Sequence, residues 1–201
     1  MSWLYRKRVY AILEQVKKNR GGADFPAKVP VHNENDAPCG WLEPLTRECV
    51  TTSHAIRLGR WREENSFAFP SQFKVTVEGT KKWLKNQVVD NPERILFYIF
   101  SDKNTRDPVG HLGLASFDFD QNSLELDNVL RGDKFNHPGL MSMGVRALID
   151  WANIYLSPKS IFLRVMSDNK HAIEFYKQIG FVRKEYIPVG NHKFLKMKYE
   201  K

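Results

Sequence analysis

Three side chains in the second half of this chain could move protons. Glu125 and Asp127 sit two residues apart in Leu124-Glu-Leu-Asp-Asn-Val-Leu130, and Tyr176 follows further along. Side chains alternate along a strand, so Glu125 and Asp127 share one face while Leu124, Leu126 and Asn128 take the other. Two acids on one strand face are expensive to bury without partners or a task. An ion pair with His111 or Arg164, or a solvent-facing edge, would supply the partners. Proton transfer would be the task. Tyr176 keeps its proton through neutral pH, because a phenol titrates at about 10.

The elements that must position these groups are legible. Tyr176 belongs to Asp168-Asn-Lys-His-Ala-Ile-Glu-Phe-Tyr-Lys-Gln-Ile-Gly-Phe181, which follows the apolar run Ser160-Ile-Phe-Leu-Arg-Val-Met166. Asp168 or Asn169 caps a helix whose inward positions are Ala172, Ile173, Phe175, Tyr176 and Ile179. Gly180 ends that helix, since a left-handed residue costs glycine little. Upstream, the loop Arg131 to Ser142 joins the acidic strand to a helix N-terminus. Backbone N–H groups there favour a phosphate, and Gly139 lets backbone approach it closely.

The remaining order runs from a charged helix over residues 4 to 19, with Tyr5, Val9, Ile12, Leu13 and Val16 on one face, to Gly21-Gly22. Residues 23 to 40, with Pro26, Pro30 and Pro38, read as a linker or extended arm. A strand over 41–45, helices through Ala55 to Asn65 and from Thr76 to Val88, and strands 95–100, 109–117 and 124–130 follow. Helix 139–156, strand 160–166, helix 169–179 and a closing hairpin of 181–188 with 193–199 complete a mixed α/β sheet without internal repeat. The division is a basic helical extension and linker over 1–40 and one domain over 41–201.

Composition narrows the classes. The chain has 201 residues and a net charge of +8, which suits an anionic ligand without choosing one. No apolar run reaches the roughly 20 residues of a membrane span, and the basic start lacks the apolar region of a signal peptide. These features, with only two cysteines, Cys39 and Cys49, predict a cytoplasmic protein with free thiols and no membrane insertion. The six histidines are scattered, so no metal site is expected, and the basic and aromatic residues form no nucleic-acid motif.

The pattern Asn169-x-x-Ala172-x-x-Phe175-Tyr176-x-x-x-Gly180-Phe181 resembles the last part of the GCN5-related N-acetyltransferase (GNAT) family. Together with the element order, the resemblance covers about residues 41 to 199. It implies the GNAT fold, with about seven strands, four helices and the N-terminal extension, and acetyl-coenzyme A as co-substrate. It further implies that the acidic strand splays from strand 160–166 and admits the pantetheine arm, with backbone N–H groups around Val129 and Leu130 polarising the thioester carbonyl. Asp127, with Glu125 second, would take the proton of an attacking amine, and Tyr176 would protonate the leaving thiolate.

The family's phosphate loop, Arg/Gln-x-x-Gly-x-Gly/Ala, is similar to Asn136-His-Pro-Gly-Leu-Met141 here. Gly139 is kept, while Asn136 and Met141 depart from the pattern. Arg131 or Lys134 would restore the missing charge, and Leu140, Met141, Ser142 and Asn169 would complete the coenzyme site.

Trp61-Arg62-x-x-Asn65, with Phe69, looks like the acceptor-side helix of enzymes acting on ribosomal-protein N-termini and amino sugars. Trp61 and Phe69 would stack on a sugar or base, and Arg62 would meet a phosphate, or Trp61 would be core and Arg62 a surface charge. The implied reaction is acetyl transfer to a primary amine of a small molecule, a nucleotide-linked amino sugar being favoured. A protein N-terminal acetyltransferase and a noncatalytic acyl-coenzyme A-binding module are the alternatives, and a homodimer is left open.

Overall fold

The computed structural model describes residues 2–18, 26, 28–103, 106–133 and 138–200. Eight strands form one sheet in the order β1-β2-β3-β4-β5-β6-β8-β7. They are β1 (Val29–His32), β2 (Pro38–Pro44), β3 (Ile95–Ser101), β4 (Gly110–Asp118), β5 (Ser123–Arg131), β6 (Ser160–Met166), β7 (Phe181–Val189) and β8 (His192–Tyr199). The eighth strand comes from the stretch expected as an arm. Val29 and Val31 alternate with exposed residues in β1, and the strand pairs antiparallel with β2, so its Pro30 sits at an edge.

Among the described residues, five α-helices accompany the sheet: α1 (Ser2–Lys17), α2 (Thr52–Glu64), α3 (Val77–Trp83), α4 (Leu140–Tyr155) and α5 (Lys170–Ile179). Thr51 and Thr76 cap α2 and α3 through their side chains, accepting from His54 N and Gly79 N. Beyond Trp83 the chain continues as a π-helical turn, Leu84–Val89, where a single α-helix was expected.

The core has two parts, one for each face of the sheet. Val9, Leu13 and Val16 of α1 share the larger cluster with β1, α4, α5 and the inward residues Leu112, Leu114, Leu124 and Leu126. The smaller cluster joins Trp61 of α2, Leu84 and Val88 to Leu96, Tyr98 and Leu130. Leu130 therefore lies on the opposite face from Leu124 and Leu126, which simple alternation forbids.

The reason is a bulge. Gly113 pairs with Asp127, but His111 pairs with Leu130, so β5 carries one more residue than β4 across that interval. Asn128 takes up the extra length with φ of 53°, so the expectation that it simply joins the Leu124 and Leu126 face is corrected.

β5 and β6 run parallel, and their pairing ends early. It joins Ser123, Leu124 and Glu125 to Ser160, Ile161 and Phe162; from there β6 continues against β8. The two central strands thus part in the middle of the sheet. No helix among the described residues is long and apolar enough to cross a membrane.

Candidate active site

The parted strands open a groove of about 1850 Å³ that runs from the α2–α3 side across β5 to β6 and α5. Glu125, Asp127, Tyr176, Gly139, Met141, Ser142 and Asn169 all line it. The two acids are in different situations. Glu125 is 4% exposed and accepts two bonds from Arg164, Nε at 2.8 Å and Nη2 at 2.7 Å. A buried carboxylate held in a fork by guanidinium has its charge compensated and its lone pairs used.

Asp127 lies one pleat nearer the opening. Arg94 Nη2 approaches Asp127 Oδ2 at 3.1 Å, and Asn128 Nδ2 donates to the same oxygen at 2.6 Å. Burial lifts the Asp127 carboxyl above the usual aspartate range, and the charge of Glu125 adds to the lift against Arg94 and Asn128. A raised carboxyl is a stronger base once ionised, which a group that must accept a proton requires.

Tyr176 comes from α5 on the far wall. Burial pushes its phenol well above the usual tyrosine range, and the charge of Asp127 pushes the same way. The hydroxyl therefore stays protonated. Phe175 and Phe181 pack edge-on against its ring, with centroids 5.2 and 5.8 Å away. Asn169 caps α5 by accepting from Ala172 N at 3.1 Å, so its capping task is fulfilled at the groove wall.

Backbone supplies the rest of this wall. Gly132 N donates to Val109 O at 2.9 Å, on the β4 side. N–H groups alternate between the two edges of a strand, so that of Leu130 turns to β4 and that of Val129 turns toward β6, whose pairing with β5 has ended at Glu125. At the start of α4, Gly139 has φ of 82°, a conformation that an added side chain would strain. Leu140 is 1% exposed and packs in the core, leaving only its backbone for a ligand. Asn136, with Lys134 and His137, lies outside the described residues.

The acceptor side departs from expectation. Trp61 is fully buried, and its ring lies so close to the Gly132 backbone that a Cβ there would come within 2.0 Å of it. It has no face for a ligand, so its expected stacking role is corrected to packing. Arg62 lies over the Phe69 ring at 3.6 Å and near Phe73 at 5.2 Å, and its Nη2 donates to Ser71 O at 2.6 Å. Asn65 Nδ2 donates to Trp61 O at 2.9 Å. Arg62, Asn65 and Phe69 thus fasten the chain from α2 to α3, and the most exposed rings lining the groove are Phe67 and Phe73, 70% and 64% exposed.

Among the groove residues to which the sequence assigned no role in the site are Arg94, just before β3, and His111 of β4. His111 was weighed only as an ion-pair partner, whereas its Nδ1 lies 2.7 Å from Asn128 O. The apolar spacing of Leu124, Leu126 and Val129 was a usable signal of the bulge. Among the described residues, no group of three His, Cys, Asp or Glu side chains could hold a metal ion.

The acetyltransferase (GNAT) domain family matches residues 43–182. No curated protein gives a significant sequence match. Solved structures do: a probable GNAT-family acetyltransferase from Chromobacterium violaceum is 16% identical, with 89% of each chain covered and a TM-score of 0.67. RimL, a ribosomal alpha-N-protein acetyltransferase in complex with coenzyme A, is 13% identical over 85% of this chain and 96% of that one, with a TM-score of 0.63. Apo FdhC, a nucleotide-linked sugar GNAT, is 13% identical over 80% and 86%, with a TM-score of 0.62. Identities this low speak to the fold, while the domain match spans most of the chain. With strands that part at Glu125 and a groove walled by α4 and α5, this chain belongs to the GNAT acetyltransferase family and is an acetyl-coenzyme A-dependent N-acetyltransferase.

Proposed function

We propose that this protein transfers acetyl to a primary amine of a small molecule, a nucleotide-linked amino sugar, by direct attack with both substrates bound. One observation carries the reading. Asp127 stands where β5 and β6 begin to part and lines the same groove as Tyr176, whose phenol is pushed up by burial and by the aspartate charge. Acetyl-coenzyme A supplies the acyl group as a thioester. The groove suits it, because the unpaired edge of β5 offers backbone N–H groups along an extended path and α4 begins with a left-handed glycine beside that path.

An alkylammonium has no lone pair, so attack requires a base. Asp127 takes that proton at a carboxylate oxygen, while Arg94 and Asn128 hold the carboxylate in orientation. Glu125 is engaged by Arg164 and serves as the fixed negative neighbour that strengthens Asp127 as a base. Tyr176 keeps a proton at Oη for the departing sulfur. Val129 N–H faces the unpaired side of β5 as the donor to the thioester oxygen. Arg131, Met141, Ser142 and Asn169, with the backbone at Leu130, Gly139 and Leu140, hold the remainder of the coenzyme.

The amino-sugar acceptor is supported by the rim of the groove. Phe67 and Phe73 offer flat, exposed rings to a nucleobase, and the net charge of +8 favours a diphosphate. Thiol release from acetyl-coenzyme A, measured with nucleotide-linked amino sugars and N-terminal peptides side by side, tests this. Turnover confined to the sugars is the expected result. Turnover confined to peptides would replace the acceptor with a protein N-terminus.

A further inference from the structure

His111 is a buried residue of the groove wall with no place in the proton transfers above, yet it touches the bulge in β5. Its ring is 5% exposed, packed beside Trp61 with ring centroids 6.0 Å apart, and paired across the sheet with Tyr98 on one side and Leu130 on the other. Nδ1 lies 2.7 Å from the carbonyl oxygen of Asn128. A carbonyl only accepts, so Nδ1 carries the proton. Burial pushes the imidazole pKa down to about 4, so the ring is neutral at working pH and Nε2 is its lone-pair nitrogen.

Asn128 is the residue that needs holding. Its φ of 53° is unfavourable for a residue with a side chain. Asparagine tolerates it better than most, but tolerance does not select it over an unbulged strand. Were the bulge to relax, alternation would turn Val129 onto the Asp127 face and carry Leu130 back with Leu126. Both the facing of the Val129 N–H and the place of Leu130 in the buried cluster of Trp61 depend on the extra residue.

We propose that His111 is a positioning residue for the acetyl transfer: by donating Nδ1–H to Asn128 O it locks β5 in the bulge that, just after Asp127, turns the Val129 N–H toward the gap between β5 and β6. The inference rests on the roles given to Asp127 and Val129 above. It adds a buried neutral imidazole whose single bond sets the local path of the strand.

The variants His111→Asn and His111→Leu separate positioning from packing. Asparagine can place an amide N–H close to the Nδ1 position; leucine fills the space without a donor. With the best amine of the panel, His111→Leu should lower kcat per folded molecule by about 10- to 100-fold, the scale of a misplaced reacting group. His111→Asn should stay within about fivefold of wild type, and the dissociation constant of coenzyme A should change little in either.

Amide NMR supplies a readout independent of turnover. The Asn128 and Val129 resonances should move in His111→Leu and return in His111→Asn. In the wild type, ring nitrogen shifts should place the proton on Nδ1. Wild-type kcat per folded molecule in His111→Leu, unmoved amides, or a proton on Nε2 would each overturn the proposal. Should the wild type acetylate no amine, the catalytic reading fails, while the spectra still decide whether His111 holds the bulge. If His111→Leu does not fold, the wild-type ring shifts decide it.

Discussion

The two walls of the groove are built from different materials. On the β5–β6 side, the features are backbone ones: an interrupted strand pairing, a bulge at Asn128, a left-handed glycine at 139 and a capped helix start at Asn169. On the α2–α3 side, side chains do the work, with Arg62 clamped between Phe69 and Phe73 and tied to Ser71 O. A backbone wall tolerates many sequences and suits a ligand shared by a whole family. A side-chain wall can be rewritten residue by residue, and suits an acceptor that differs from one member to the next.

That division can be broken by substitutions confined to one wall. Tyr176→Phe keeps the ring contacts with Phe175 and Phe181 and removes only the hydroxyl. It should lower kcat about 100-fold with coenzyme A affinity unchanged, measured by steady-state kinetics and calorimetry. A fall in affinity with kcat preserved would make Tyr176 part of the binding wall instead.

Gly132→Ala tests the join between the walls. The added Cβ would lie 2.0 Å from the Trp61 ring, and Trp61 is fully enclosed, so strain of about 1–3 kcal/mol is expected. Urea unfolding should show a lower midpoint. A variant as stable as wild type would mean that the two walls adjust independently.

The smallest effect belongs to Arg62→Ala. Loss of the cation–π clamp should raise KM for the acceptor about two- to fivefold and leave the coenzyme dissociation constant alone. Equal changes in both would show that the loop between α2 and α3 serves the whole groove rather than the acceptor.

The same division governs what could be read before the fold was seen. Strand and helix positions, the helix cap at Asn169 and the glycine at 139 are local signals, since each depends on periodicity or on one residue's conformational preference. The bulge escapes that reading: plain alternation places Asn128 with Leu124 and Leu126, and its one trace in the sequence is that the next apolar residue is Val129. Arg94 carried no such signal: it precedes β3 and meets Asp127 only when β3, β4 and β5 are laid side by side.

Trp61 illustrates the opposite case: a large aromatic beside an arginine reads equally as a ligand platform or as core, and the structure places it in the core. The stripe Ala55, Leu58 and Gly59 already marked the buried face of α2, and Trp61 completes it. Residues 29–32 were missed as a strand because a four-residue edge with a proline carries little alternation to detect.

The central claim is that Asp127 accepts the amine proton from within this groove. Its direct test is the pH dependence of kcat/KM for wild type and Asp127→Asn with the same amine. Because burial and Glu125 lift the Asp127 carboxyl, wild-type activity should fall with decreasing pH along a limb lying above the ordinary aspartate range. In Asp127→Asn the rate should drop by at least about 100-fold and that limb should vanish. An asparagine variant that retains both the wild-type rate and its acid limb would remove Asp127 from the chemistry.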